Sequence, residues 1–330
     1  MLLGLVVGIV IYLGYGILTA PDPQDAPGWS RLADMPEPRG ETAIATTADG
    51  RLFVLGGLTG ATFETSRTVS ILDPRTGTWS AGPPLPAPRH HAAAVAVGDS
   101  VYVSGGGSSI AGGAPRPEMW VLDPDSEAWR PLAPMPNGRL GHRMAALDGK
   151  VHVVGGVPGP EERDPRSFSV ITYDPAADSW AWGGWLLMPR DHLGVVVVDG
   201  EIWAIGGRSI LDGRNHVEVE IYDPAETTWR MGLSLPEATS GAAEAAIGGH
   251  ILVSGGEDPA SGRIVDRHWI LDTTAARPEW VALAPPPLSV HGAPGATVDG
   301  RFVIAGGASR AGGQSNTAWS GLTQVLLELP

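Results

Sequence analysis

Arginine and histidine recur together along this sequence, and their spacing sets the first chemistry to consider. Pro36-x-x-Arg39, Pro86-x-x-Arg89, Pro136-x-x-Arg139 and Pro189-Arg190 each set a guanidinium just after a proline. Histidines follow at His90, His91, His142 and His192, and again at His291. A guanidinium fork matches the planar oxygens of carboxylates and other anions. Equivalent positions of a rotational repeat fall on a ring. Arg39, Arg89, His91, Arg139, His142, Arg190 and His192 are therefore expected at one mouth of the molecule, receiving an anionic peptide, a sugar acid or another carboxylate. A second expectation is architectural, because a residue repeated in every unit can instead bond carbonyls or an Asp of its neighbour. Thr239 and Ser240 replace the Arg of the fifth unit and break the ring.

A metal site is not expected. The histidines come from three adjacent units, but no close i, i+4 pair occurs and no nearby carboxylate is expected to pair with them. Glu244 and Arg143 each fall in a strand of small residues. They read either as a perturbed general acid or base and its partner or as channel residues solvated by axial water. No nucleophile elbow, phosphate-binding glycine loop or HExxH occurs. With no cysteine in the chain, disulfides and thiol chemistry are excluded. No catalytic residue and no cofactor are assigned.

What must position these side chains is a repeat. Gly pairs close an apolar run at residues 56–57, 105–106, 155–156, 206–207, 255–256 and 306–307, a spacing of 49 to 51 residues. Tryptophans keep the same beat at Trp29, Trp79, Trp129, Trp180, Trp229 and Trp280. Dipeptides such as Asp49-Gly50, Asp148-Gly149 and Asp199-Gly200 lie between paired apolar runs, as two-residue hairpins require. Asp73-Pro74, Asp123-Pro124, Asp174-Pro175 and Asp223-Pro224 open a further turn before the next Trp.

Together these signals resemble the kelch repeat, with Tyr173-Asp174-Pro175 and Tyr222-Asp223-Pro224 matching it best. The resemblance covers residues 29 to about 328 and implies an all-β, six-bladed propeller of four-stranded blades. The fifth repeat departs with Leu271-Asp272-Thr273, and the sixth lacks the Asp-Pro element. Small-residue runs at Ala92 to Val97 and Ala242 to Ile247 mark innermost strands. The chain ends on a third strand, so the segment from Trp29 to Met35 is expected to supply the outer strand of the last blade.

Gly 46 and Pro 30 with 18% charged residues fit many tight turns, and 43% hydrophobic residues suffice for a core. A net charge of −14 argues against nucleic acid as a partner. Residues 1–20 carry no charge and as a helix would span ~30 Å. They are expected to form a transmembrane anchor, followed by a linker at 21–28 and the propeller at 29–330. A cleaved signal peptide is the rival, disfavoured by the missing basic n-region and by Leu18 before the possible cut at Ala20. Gly4 and Gly8 form a GxxxG pair for helix packing. The acidic flank, Asp22 and Asp25, favours a propeller on the extracytoplasmic, periplasmic side.

The expected function is a non-catalytic scaffold docked to a protein partner, an integral membrane complex of respiratory or photosynthetic type, with membrane lipid around residues 1–20. The resemblance also implies an alternative, since some periplasmic kelch propellers isomerise sialic acid, making a sugar-acid mutarotase the runner-up. A carbohydrate or peptide sensor, with Trp182, Trp185 and Trp203 as stacking faces, is a third reading. The inserts Val157 to Arg166 and Ala308 to Ser320 are candidate partner loops.

Overall fold

A computed structural model describes residues 26–111, 114–159, 168–312 and 318–329. The expected membrane segment, Gly4 and Gly8 included, lies outside the described residues, as do parts of both inserts. Among the described residues no helix is long and apolar enough to cross a membrane.

Six four-stranded antiparallel sheets follow one another in the chain. Their innermost strands are Ala43–Thr46, Ala93–Val97, Arg143–Leu147, Gly194–Val198, Ala243–Ile247 and Gly295–Val298, each beside the next in a closed cycle around one axis. Small side chains dominate these strands because six of them must converge there. The core lies between blades, where Val54, Leu72, Val103, Val153, Ile221 and Leu252 are fully or almost fully buried.

Ring closure follows the expectation. Trp29–Arg31 pairs with Thr323–Leu326 and becomes the outer strand of the sixth blade, with Trp29 opposite Leu326. The fifth repeat keeps its turn despite its departure. Asp272 still accepts the Thr274 N–H at 2.9 Å, as Asp174 accepts that of Ala176 at 2.9 Å, so the aspartate makes the turn without its proline. At the third inner hairpin, Asp148 and Gly149 both adopt positive φ (52° and 70°), the geometry expected for that dipeptide.

Two sets of blade-to-blade hydrogen bonds explain the two strongest repeat signals. Each repeat Trp donates its indole N–H to a carbonyl of the preceding blade's exit: Trp79 to Ala33, Trp129 to Pro83, Trp180 to Ala133, Trp229 to Gly184, Trp280 to Leu233 and Trp29 to Ala284. The Trp180 bond measures 2.8 Å. Trp180→Phe keeps the aromatic packing on Tyr173 (centroids 5.1 Å apart) but strands the Ala133 carbonyl. It is expected to cost about 1 kcal/mol in urea unfolding; an unchanged midpoint would show that water replaces the bond freely.

The second glycine of each pair donates its N–H to a carbonyl in the loop that enters the next blade. Gly57 bonds Arg89, Gly106 bonds Arg139, Gly156 bonds Arg190, Gly207 bonds Thr239, Gly256 bonds Val290 and Gly307 bonds Arg39, at 2.7–3.0 Å. Only a carbonyl is needed at the accepting position, which is why Thr239 and Val290 can stand where other blades have Arg.

Candidate functional site

The four arginines expected to face a ligand instead brace the blades. Arg39, Arg139 and Arg190 are completely buried and Arg89 is nearly so. Arg39 donates to the Thr68 carbonyl at 2.8 Å and to Ser70 Oγ at 2.9 Å. Arg139 reaches the Gly155 carbonyl at 3.2 Å, and Arg190 bonds the Ala204 carbonyl and the fully buried carboxylate of Glu220. Arg89 pairs with Glu118 at 3.2 Å and lies over the Trp120 ring, 4.8 Å from its centroid. An anion cannot reach the three buried guanidiniums, so the architectural expectation describes them. His142 also leaves the mouth: it is fully buried behind Gly105, with Nε2 3.2 Å from Ser104 Oγ.

Burial of His142, reinforced by the charges of Arg139 and Arg143, pushes its pKa down to about 3. An unfolded histidine takes up its proton near 6.5. Between about 3 and 6.5 the unfolded state therefore binds the extra proton, and stability falls as pH is lowered through that window. At about 1.4 kcal/mol per pH unit, His142 accounts for roughly 2 kcal/mol of lost stability by pH 5. Urea unfolding at pH 7 and pH 5 should show this loss, and His142→Gln should reduce it by that amount.

Two residues beyond each bracing position, the six loops meet in a collar. Glu41 N–H donates to Gly292 O, His91 to Glu41, Gly141 to His91, His192 to Gly141, Gly241 to His192 and Gly292 to Gly241, at 2.6–3.0 Å. These bonds close a six-membered cycle around the entrance of the axial channel. Every collar residue adopts positive φ: Gly141, Gly241 and Gly292 at 63–70°, and Glu41, His91 and His192 at 50–53°. The left-handed backbone costs a side-chain-bearing residue about 1–2 kcal/mol. Three blades meet that demand with glycine, and three carry a side chain despite it. Strain of this kind points to function.

Those three side chains converge. His91 Nε2 lies 3.2 Å from Glu41 Oε2 and His192 Nε2 lies 3.9 Å from the same oxygen. His291, from the loop position just before the collar, brings Nδ1 to 3.4 Å from Glu41 Oε1 and 3.6 Å from Glu257 Oε2. Asp191 and His90 occupy the same preceding position in their blades. Asp191 bonds His192 Nδ1 closely and also contacts Arg208 at 3.1 Å; His90 Nδ1 lies 2.6 Å from His91 Nδ1. Burial works against the charge of Glu41, but His91, His192 and His291 outweigh it and hold its carboxyl well below the usual range. Burial pushes His91 down to about 3, leaving a neutral imidazole at pH 7. His291 goes the other way, raised by Glu41 and Glu257 against the effect of burial.

Above the collar opens a cavity of about 290 Å³, lined by Glu41, His91, His192, His291 and Glu257 together with Leu58, Phe63, Ile110, Arg208 and Trp319. Phe63 meets Trp319 edge to face at 5.7 Å on its rim. Trp319 comes from the insert Ala308 to Ser320, so part of that candidate loop does reach the mouth. Below the collar, Arg143 bonds Glu244 at 2.9 Å inside the channel, beside a second space of about 170 Å³. Burial raises the Glu244 carboxyl, while Arg143 opposes that rise. Trp182 and Trp185 lie on the outer strand Ser179–Trp185, and Trp203 packs against core residues of the fourth and fifth blades. The three therefore do not form one stacking surface at the mouth.

Comparison with known proteins agrees with this architecture. The KLHDC2/KLHL20/DRC7 kelch-repeats domain matches residues 27–182, and the kelch motif matches residues 189–235. This is a kelch-repeat propeller. Alpha-scruin of Limulus polyphemus is 34% identical over 88 residues, which are 27% of this chain and 10% of that protein. Human Kelch-like protein 35 is 38% identical over 78 residues, 22% of this chain and 13% of the relative. The chain thus spans a small part of the curated relatives it matches. Among solved structures, that of YjhT superposes with a TM-score of 0.72 at 16% identity, covering 90% of this chain and 97% of the other, a likeness of fold. Kelch propellers generally bind proteins.

Of the residues singled out in the sequence, the structure brings His91, His192 and His291 together. Glu41 was missed. Its signal was its place two residues after Arg39, equivalent to His91 after Arg89 and to His192 after Arg190. It is the carboxylate that joins His91 to His192 across the collar, and it comes from a blade far from both in sequence.

Proposed function

We propose that this kelch protein is a non-catalytic recognition platform, held at a membrane by residues 1–20 with its propeller on the extracytoplasmic side. Its mouth docks a protein partner, an integral membrane complex. One observation carries the reading. Positions that build the ring repeat from blade to blade, whereas those toward the cavity differ: glutamate, histidine and glycine in the collar, and leucine, glycine, valine, arginine, glutamate and alanine just after the Gly pairs. A repeat fold that individualises one face presents a specific binding surface there. The rim pair Phe63 and Trp319, with Ile110 half exposed beside them, supplies apolar contact area around a polar centre.

The cavity disfavours the sugar-acid isomerase reading. Glu41 and Glu257 line it against one guanidinium, Arg208, among the described residues, and Asp191 already engages that guanidinium. A carboxylate substrate would enter a negative field. Extraction of native membranes in mild detergent is expected to yield a stoichiometric complex with Met1 retained. Ile110→Asp at the mouth should weaken the partner at least about tenfold, and Val281→Asp on an outer strand should not. A soluble single chain trimmed near Ala20, or a complex indifferent to Ile110→Asp, would overturn the proposal.

A further inference from the structure

The collar has a second capacity, independent of any protein partner. We propose that Glu41, His91 and His192 bind a divalent transition-metal ion of the zinc class, with a fourth coordination position open to the mouth cavity. Two imidazoles and one carboxylate are a ligand set that suits zinc, and three protein ligands with an open position distinguish reactive or ligand-binding sites from closed structural ones.

The distances are those of a site needing little movement. One ligand atom from each residue lies within 4.8 Å of the other two. Tetrahedral coordination with bonds of about 2.0–2.1 Å places ligand atoms ~3.3 Å apart. The Glu41–His91 edge of 3.2 Å already fits, and the Glu41–His192 edge of 3.9 Å exceeds it slightly. The remaining His91–His192 edge, at most 4.8 Å, is the long one, and closing it takes a shift of up to about 0.8 Å by each imidazole.

Each ligand is also oriented from behind. His192 Nδ1 lies against Asp191 and 3.0 Å from an Arg208 nitrogen; a proton on Nδ1, donated to Asp191, directs the Nε2 lone pair toward the collar centre. Asp191 is itself fixed by Arg208. His91 Nδ1 faces His90 Nδ1 at 2.6 Å, so one of the pair must donate; a proton on His91 Nδ1 frees Nε2 for a metal. Glu41 turns Oε1 to His291 and keeps Oε2 for the two imidazoles. Such carboxylate–imidazole backing is the usual support of metal-bound histidine. Moreover, the three ligands are the three collar residues that are not glycine. The backbone bears its left-handed cost only where a side chain enters the cluster.

The blade repeat supplies variants that should fold. Gly141, Gly241 and Gly292 show that glycine fits the collar backbone, so Glu41→Gly and His91→Gly relieve strain while removing a ligand. The full chain, stripped with chelator, is titrated with Zn²⁺ by calorimetry and with Co²⁺ by visible absorption. One equivalent of Zn²⁺ is expected with Kd about 1 µM or tighter, with a Co²⁺ spectrum of four-coordinate type. Glu41→Gly and His91→Gly should each weaken binding by at least about 100-fold, and Asp191→Asn by about 10–100-fold. Saturating Zn²⁺ should raise the melting temperature of the parent chain but not of the glycine variants. The proposal is overturned if the parent binds less than one equivalent or only above about 100 µM, or if folded glycine variants bind as the parent does.

Discussion

Glu220→Leu is expected to lower the unfolding free energy by about 3–5 kcal/mol. Its carboxylate and the guanidinium of Arg190 are both without solvent exposure, and they contact each other directly. Glu220 additionally accepts the Leu187 N–H at 2.6 Å and the Met188 N–H at 3.1 Å. Removing it leaves a buried positive charge with only carbonyl partners, together with two unsatisfied backbone donors. The cost of such an orphan far exceeds that of losing an exposed ion pair, about 0–1 kcal/mol. Replacing both partners, as Arg190→Met with Glu220→Leu, should recover a substantial part of the loss, because the uncompensated charge goes too. Chemical denaturation of the two single variants and the double variant gives the coupling. Single variants within about 1 kcal/mol of the parent would mean that the pair is hydrated and that bracing by Arg190 is unimportant.

Gly155→Ala should have an effect of similar size for a different reason. Gly155 has φ +68°, and a Cβ there would lie 2.6 Å from Leu193 Cδ2 and 2.7 Å from the Arg190 carbonyl oxygen. That carbonyl belongs to the bond from Gly156 that joins the third blade to the fourth. The left-handed backbone costs about 1–2 kcal/mol, and forcing the blades apart adds about 1–3 kcal/mol. Gly149→Ala in the same blade is the control: φ is +70°, but nothing lies within 4 Å of its Cβ position. It should show only the backbone part. Equal losses in the two variants would remove steric contact as the reason for the glycine pairs.

The ring was legible because its signals are repeated. Gly pairs, Trp and Asp-Gly turns each recur in register, and every one answers to a backbone demand that returns at each blade. The last blade was legible from order alone, since Trp29 precedes the first Gly pair, and it pairs as that blade's outer strand. The site was legible only in part, for the opposite reason. Repetition drew attention to the arginines, and repetition is what a brace produces. The collar is informative where the repeat changes, with Glu41 in place of a glycine, and a single glutamate in an acidic chain carries no periodic signal. His142 shows the limit of counting along the chain: one residue past the collar position, it turns into the blade rather than the cavity. The backing of His192 by Asp191 was adjacent in sequence, yet its meaning depends on where Nε2 points, which only the folded collar decides.

Closure through Trp29–Arg31 and Thr323–Leu326 also fixes a timetable for synthesis. The Trp29–Arg31 strand precedes every other strand of the propeller and finds its partner only after nearly the whole ring has followed it. At ~5–20 residues per second, the intervening stretch keeps Trp29 waiting on the order of 15–60 s. During that interval the strand Trp29–Arg31, with its tryptophan destined for the core, has no edge to join, while the other blades assemble beside it. A nascent propeller therefore keeps one tryptophan-bearing strand unpaired until the circle locks.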